Sequence, residues 1–239
     1  MFLSIIIPVY NEEQNIIEVL QKLIDLNLES FVNNYEIIVV DDCSTDNSYK
    51  IINHFIHRQS FHNLKLVKHD NNHGKGAAIV SGIKHANGDV YLFQDADLEL
   101  DVKDIPRMID VMKKMDVDFV NGSRYMEGII RPLSSYWRYL GNKIFTTVTA
   151  MLINVKITDI ACGYKLIRKE LFEKLTLKEK RFGFETEIII KSIRIARNKV
   201  VEVPVNYFPR TISEGKKLTN KDAILIFFKI IKYGLLRLK

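Results

Sequence analysis

Short apolar runs alternate with amphipathic helical segments through the first two-thirds of this chain, and the runs break off at polar, mostly acidic loops. Ser4 to Val9 is rich in β-branched residues and runs into Pro8-Val9-Tyr10-Asn11-Glu12, after which apolar residues recur at helical spacing through Ile16, Val19, Leu20 and Leu23. Tyr35 to Val40 predicts a second strand, stopping at Asp41-Asp42-Cys43-Ser44-Thr45-Asp46 before a helix from Ser48 to Phe55. Leu64 to Lys68 predicts a third strand, His73-Gly74-Lys75-Gly76 a turn, Ala77 to His85 a helix, and Val90 to Gln94 a fourth strand that meets Asp95-Ala96-Asp97. Strands without polar alternation are buried on both faces, so the expectation is an α/β fold with a mostly parallel central sheet and helices on both sides. Ligands of such sheets bind beyond the carboxyl ends of the strands, which is where these acidic residues fall.

The rest of the chain continues the pattern less regularly. Pro106 to Met115 predicts a helix, Phe119-Val120 a short strand ending at Gly122-Ser123-Arg124, and Trp137 to Val155 an apolar helix. Asp159 to Lys165 reads as a loop into a strand, Glu185 to Ala196 as a helix and Val200 to Tyr207 as a last strand. With 239 residues, 47% of them hydrophobic, the chain suits one large domain, placed at 1–220, followed by a basic amphipathic helix at 221–239. Cys43 and Cys162 form no CxxC or Cys/His cluster, which argues against zinc, a redox pair or a disulfide framework.

The N-terminal run lacks the basic flank and small-residue cleavage site of a secretory signal, and charged residues interrupt every apolar stretch before the roughly 18–20 residues that span a bilayer. A cytoplasmic location is therefore expected. The net charge of +6 is concentrated after position 191, but no RNP, zinc-finger or basic-region pattern accompanies it, so nucleic acid is not expected as a partner.

Asp95, Asp97 and Glu99 place three carboxylates within five residues at a strand end, where they repel one another unless a cation intervenes. A hard divalent ion, Mg or Mn, with a diphosphate completing its shell, answers that need. Asp41-Asp42 taken alone reads as an N-cap for the next helix, with recognition of a nucleobase or ribose as the functional alternative. Lys75, in a glycine-flanked turn before a helix, suits a phosphate. The chain has neither GxxxxGK[ST] nor GxGxxG, which removes P-loop and dinucleotide readings, and no GxSxG elbow. The polar loop Arg210-Thr211-Ile212-Ser213-Glu214-Gly215-Lys216-Lys217 comes after a strand, and its cations suit a departing diphosphate.

Seven stretches in order resemble family 2 glycosyltransferases, in particular the dolichol-phosphate mannose synthase and polyprenyl-phosphate glycosyltransferase branch. They are Ile7 to Glu12, Val40 to Asp46, Gly74 to Ala77, Asp95 to Leu98, Gly122 to Arg124, Asp159 to Lys165 and Phe182 to Glu185. The resemblance implies a GT-A type, Rossmann-like fold and inverting transfer of a hexose from a nucleotide-diphosphate sugar, GDP-mannose or a UDP-hexose, to a polyprenyl or dolichyl phosphate. It implies that Pro8, Tyr10, Glu12, Asp41 and Asp42 hold the nucleoside, and that Asp95, Ala96 and Asp97 meet the donor at a metal shared with Glu99. Lys75 and Lys217 join the donor side, Arg210 closes over it, and Arg124 and Arg138 bind the acceptor phosphate. Relatives with Gln at the position of Glu99, and a Gly-x-Ser-Lys ending where this chain has Glu214-Gly215-Lys216-Lys217, mark the departures.

An ionised lipid phosphate attacks without a strong base, whereas a saccharide hydroxyl needs one, and Glu185 is the candidate. Its other reading is an acid favoured at a helix N-terminus. The same fold acting on a saccharide hydroxyl and a non-catalytic nucleotide-sugar-binding protein are the alternatives. From Ala223 to Leu238 an apolar face lies between Lys229, Lys232 and Arg237, which reads either as weak peripheral attachment to an anionic membrane surface or as a terminal helix packed on the core, with a membrane-protein partner as a further reading.

Overall fold

The computed structural model describes residues 1–59, 61–128, 135–181, 183–210 and 220–236; the side chains of Arg138 and of residues 220–224 fall outside that description, as do Arg131, Lys216 and Lys217 entirely. Seven strands form one sheet: β1 (Phe2–Val9), β2 (Asn34–Asp41), β3 (Leu64–Lys68), β4 (Val90–Phe93), β5 (Phe119–Ser123), β6 (Lys165–Arg168) and β7 (Val200–Pro204). Their order is β3-β2-β1-β4-β6-β5-β7. β3, β2, β1 and β4 are parallel, β6 is antiparallel to both its neighbours, and β5 and β7 are again parallel. The mostly parallel sheet read from the sequence is therefore present, with β6 as its reversed strand.

Two cores lie on opposite faces of that sheet. Alternate residues of β1 and β2, Leu3, Ile5, Ile7, Ile37 and Val39, pack with helices α1 (Ile16–Asp25), α2 (Ser48–Arg58) and α4 (Ile105–Lys114). Ile6, Ile38, Val40, Tyr91 and Phe93 face the other way, toward α3 (Lys75–Lys84), α5 (Tyr136–Ile153), α7 (Gly183–Ile195) and α8 (Asn220–Ile230), with the short α6 (Lys169–Phe172) beside them. Removing this much apolar area from water on both faces is what holds the sheet closed, at roughly 25 cal/mol per Å². A π-helical turn, Ile231–Leu235, succeeds α8.

Several boundaries differ from the sequence reading. β5 extends to Ser123 because Phe119 to Ser123 is buried and pairs with β7, although Asn121, Gly122 and Ser123 have low strand propensity. The last strand stops at Pro204 rather than at Tyr207: the Val205 N–H makes one more bond, to the Ser123 carbonyl at 3.0 Å, and the chain then leaves β5, with Tyr207 forming an isolated bridge to Leu100. Among the described residues no helix is long and apolar enough to cross a membrane. Both cysteines are free thiols.

Candidate functional site

The parallel strands deliver their carboxyl ends to one edge of the sheet, and the loops there are tied to one another by side chains. Asn11, with its backbone in the left-handed region at φ 51°, lies just past β1. Its N–H donates to Ser44 Oγ at 3.0 Å and its Oδ1 accepts from Thr45 N–H at 2.8 Å, joining the β1 loop to the β2 loop. Pro8 is half-buried one residue before the end of β1, Tyr10 is at the surface, and Glu12 is buried with its N–H donated to Ser48 Oγ at 2.9 Å.

The aspartate pair after β2 does not cap α2. Asp42 instead accepts the backbone N–H groups of His73 (2.9 Å) and Gly74 (2.7 Å) and meets His69 Nδ1 at 2.7 Å. It thereby fixes the turn that presents Lys75. Gly74 has φ 95°, and a Cβ there would lie 2.6 Å from the Lys180 carbonyl oxygen, so only glycine suits this turn. Asp41 is fully buried; its Oδ2 accepts the Ser44 N–H at 3.2 Å, while Oδ1 has no hydrogen-bond partner among the described residues. The capping at α2 falls to Asp46, which accepts from Ser48 N–H at 2.9 Å.

Beyond β4 the acidic segment divides. Asp95 pairs with Lys75 Nζ at 2.6 Å, and the same ammonium meets Glu185 at 2.5 Å. Burial opposes the charge on Lys75, but Asp95 and Glu185 more than offset it and hold the ammonium protonated. Asp97 lies 2.5 Å from Arg210 Nη2, and the guanidinium also reaches Glu12 at 3.0 Å and 3.3 Å. Burial, then the charge of Asp95, pushes the Asp97 carboxyl up to about 7, with Arg210 acting in the opposite direction. Ala96 is buried between the two aspartates.

Glu99 is turned elsewhere. Its Oε2 accepts from the Tyr207 hydroxyl at 3.0 Å and its Oε1 from the Arg210 N–H at 2.7 Å, so it anchors the chain that carries Arg210. The three carboxylates expected to share a cation are accordingly not gathered as one cluster, and no group of three or more metal-ligating side chains is found among the described residues. Asp95 and Asp97 remain as hard oxygen donors two residues apart, near enough for the charge of Asp95 to act on Asp97, a chemistry that fits a divalent cation with a diphosphate supplying further oxygens.

Arg124 occupies the other side of the site. Its Nε and Nη2 donate to Asp159 Oδ2 and Oδ1 at 2.7 Å and 2.9 Å, a two-pronged pair buried from water, and its guanidinium stacks 4.9 Å from the Tyr207 ring. Burial alone raises a carboxyl, yet Arg124 holds Asp159 below its ordinary value. Asn142 of α5 donates to Asp159 Oδ1 at 3.2 Å, and Thr146 to Asn142 Oδ1 at 3.0 Å. Lys165, wholly buried at the start of β6, donates to the Cys162 carbonyl at 2.5 Å, and burial depresses its basicity. Gly163 lets this loop approach, since a Cβ there would overlap Asp95 Oδ2.

The sequence-predicted residues thus form two groups, one of Glu12, Lys75, Asp95, Asp97 and Arg210 and one around Arg124. Arg138 lies on α5 with its side chain outside the description, and Lys217 is outside it altogether. Asp159, Asn142, Lys165 and Tyr207 received no role from the sequence. Asp159 stood in a recognised stretch, and its pairing with Arg124 needed the fold to bring residues 35 positions apart together.

Comparison with known families settles the class. A family model described as "Glycosyl transferase family 2" matches residues 4–176. The chain belongs to glycosyl transferase family 2. A dolichol-phosphate mannosyltransferase of Pyrococcus furiosus is 34% identical to this family 2 chain over 219 residues, which cover 90% of it and 59% of the relative. A dolichyl-phosphate beta-glucosyltransferase of Dictyostelium discoideum is 32% identical over 229 residues, 91% of this chain and 69% of that one. The chain therefore spans about three-fifths to two-thirds of these relatives' lengths. Among solved structures, glucosyl-3-phosphoglycerate synthase from Mycobacterium tuberculosis with Mn2+, UDP and glucosyl-3-phosphoglycerate superposes with TM-score 0.70 at 17% identity, covering 98% of this chain and 80% of that one. TarS from S. aureus with UDP-GlcNAc gives TM-score 0.64 at 19% identity, with 97% and 65% covered. These two likenesses establish the family 2 chain's GT-A fold.

Proposed function

We propose that this protein transfers a hexose, with inversion, from a nucleotide-diphosphate sugar to a polyprenyl or dolichyl phosphate. The observation that carries the reading is the state of Glu185. Its carboxylate is bound at 2.5 Å to Lys75, which also holds Asp95, so it serves the donor side as an ion-pair partner, committed to a cation of the protein. A hydroxyl acceptor needs such a base and an ionised phosphate does not. Relatives at 32–34% identity are named for dolichol-phosphate acceptors, which agrees.

In this reading the buried, unpaired Oδ1 of Asp41 accepts an N–H of the base, and Tyr10 and Pro8 line the nucleoside. Asp95 and Asp97 hold Mg or Mn, which when bound offsets charge on the leaving diphosphate. Arg210 exchanges its carboxylate partners for donor phosphate, with Glu99 and Tyr207 fixing the backbone from which it swings. Arg124, oriented by Asp159, faces the acceptor phosphate, joined by Arg138. A phosphate oxygen attacks the anomeric carbon as the bond to the nucleoside diphosphate breaks, and the leaving group departs with that electron pair. The protein acts peripherally at the membrane that holds its acceptor.

The test is transfer by the purified chain with Mg or Mn, screening GDP- and UDP-sugars with and without polyprenyl phosphate. Lipid-dependent release of one nucleotide is expected. Lipid-independent turnover on a saccharide overturns the acceptor assignment.

A further inference from the structure

The glycines that flank Lys75 make room for a piece of this same chain. A Cβ at Gly76 would lie 2.6 Å from the Glu179 carbonyl oxygen and 2.7 Å from Phe184 Cβ, just as one at Gly74 would meet the Lys180 carbonyl. Residues 178–181, which form neither helix nor strand, therefore pass closely over the turn as a strap. The Lys180 carbonyl accepts the Ala77 N–H at 3.1 Å. That N–H belongs to the first turn of α3, where backbone donors have no partner inside the helix. Asp42 holds the turn from its own side through the His73 and Gly74 N–H groups, and the strap adds a second hold.

An irregular strap needs partners for its own backbone. Glu187, wholly buried on α7, supplies them: its carboxylate accepts the Lys178 N–H at 2.9 Å and the Glu179 N–H at 2.8 Å. Lys191, one turn further along α7, balances that charge at 2.7 Å and donates to the Thr176 carbonyl at 2.5 Å. Two residues before Glu187, the same helix presents Glu185 to Lys75.

The strap is also tied to the C-terminal segment. Glu179 accepts from the Tyr233 hydroxyl at 2.6 Å and meets Lys229 Nζ at 2.8 Å and Lys232 Nζ at 3.3 Å. Burial works against the charge on Glu179, yet Lys229 and Tyr233 hold its carboxyl below the ordinary value. Tyr233 is itself wholly buried, with Lys191 Nζ 4.8 Å from its ring centre, so the two anchors of the strap meet.

We propose that Glu187 and Glu179 are positioning residues for Lys75: Glu187 fixes the strap from α7, Glu179 ties it to the C-terminal segment, and the strap holds the turn so that the ammonium stays between Asp95 and Glu185. A shift of the C-terminal segment at Tyr233 is thereby passed to Lys75 through one side chain and one stretch of backbone. That this serves the donor's diphosphate rests on the reading above; the hold on Lys75 does not.

Tyr233→Phe removes only the hydroxyl that Glu179 accepts, and Glu187→Gln takes the charge from the strap's other anchor. Two readouts follow the turn in the full chain without ligand: NMR exchange of the Ala77 amide, and acylation of lysines by an amine-reactive ester read by mass spectrometry. In Tyr233→Phe both the Ala77 and the Lys75 rates should rise by about three- to tenfold, the worth of one hydrogen bond, and in Glu187→Gln further. Lys84, exposed at the end of α3, and Lys165, wholly buried in β6, should keep their rates. A rise shared by Lys165 marks general loosening of the fold and overturns the proposal, as do unchanged Ala77 and Lys75 rates in Tyr233→Phe. If Glu187→Gln does not fold, Tyr233→Phe alone decides. Titration with GDP and with UDP, each with Mn2+, then reads the donor side, and the nucleotide that binds the unaltered chain should bind the variants more weakly. Faster Lys75 acylation in a chain that binds neither nucleotide, or binds one equally well in the variants, leaves the strap standing and removes Lys75 from the donor reading.

Discussion

Arg210 Nη2 lies 2.5 Å from Asp97 Oδ2 while the same guanidinium holds Glu12 at 3.0 Å, so one side chain bridges the loop after β1 and the loop after β4. Both carboxylates are largely removed from water, and burying them without a cation would cost several kcal/mol. The residue that neutralises them belongs to the segment after β7, held in place by Glu99. Any anion or cation that enters between these loops therefore has to redistribute charge that the protein has already balanced within itself.

Arg210→Ala should reduce transfer by about 10²–10³-fold, the range for removing a cation that meets developing charge. Arg210→Lys should recover only part of it, because an ammonium cannot span Glu12 and Asp97 as a planar fork does. Steady-state kinetics with varied donor check this; a loss confined to donor KM would assign Arg210 to ground-state binding alone.

Asp97 gives a pH dependence with a definite sign. Its carboxyl is pushed from 3.8 up to about 7, so between those values the folded chain binds a proton the unfolded chain lacks. Stability from this group falls as pH rises through that window and is level above it. A divalent cation needs the ionised form, so Mn2+ should raise the melting temperature more at about pH 8 than at about pH 6. Asp97→Asn should gain about 1–2 kcal/mol at about pH 8 and lose the Mn2+ response. A larger Mn2+ effect at the lower pH contradicts the assignment.

The strand-end carboxylates were legible because parallel-sheet strands read as unbroken apolar runs, and the residues just past the end of such a run lie at the ligand edge. Glu12, Asp41, Asp42, Asp95 and Asp97 were placed at that edge this way, and the family resemblance added Arg124 and Arg210 as further candidates. Their partners stayed hidden. Asp42 looks like an N-cap in sequence, since nothing local reveals that it binds His73 and Gly74 about thirty residues away. Glu99 looks like a third metal ligand until Tyr207 and Arg210 are brought against it. Phe119 to Ser123 is a strand because β6 and β7 flank it, a tertiary fact that its Asn-Gly-Ser content conceals.

The Arg124–Asp159 pair should behave as one unit. Asp159→Asn keeps the shape but leaves a buried guanidinium uncompensated, at a cost of about 3–5 kcal/mol in urea unfolding. Because the folded carboxyl is held below its ordinary value, the pair stabilises above the unfolded pKa and is lost as pH falls through the folded one. Combining Asp159→Asn with Arg124→Met should cost less than the sum of the two changes, since the second removes the stranded charge. Additive losses would show that the residues do not depend on each other.

Glu185 separates the two acceptor classes. Its carboxylate sits at 2.5 Å from Lys75, which meets Asp95 at 2.6 Å, so its place is in a three-member ionic chain. Removing its charge leaves Lys75 paired with Asp95 alone. Glu185→Gln should therefore lower transfer to a prenyl phosphate only modestly, by about tenfold or less, whereas loss of a general base costs about 10²–10⁴-fold. The pH profile sharpens the comparison: a positioning carboxylate leaves the profile's acidic limb in place, and a base takes that limb with it. Lys75→Met should be the more damaging change, because it leaves Asp95 and Glu185 to repel each other beside Asp97. If Glu185→Gln abolishes turnover and flattens the acidic limb while Lys75→Met is mild, the acceptor is a hydroxyl and the phosphate reading fails.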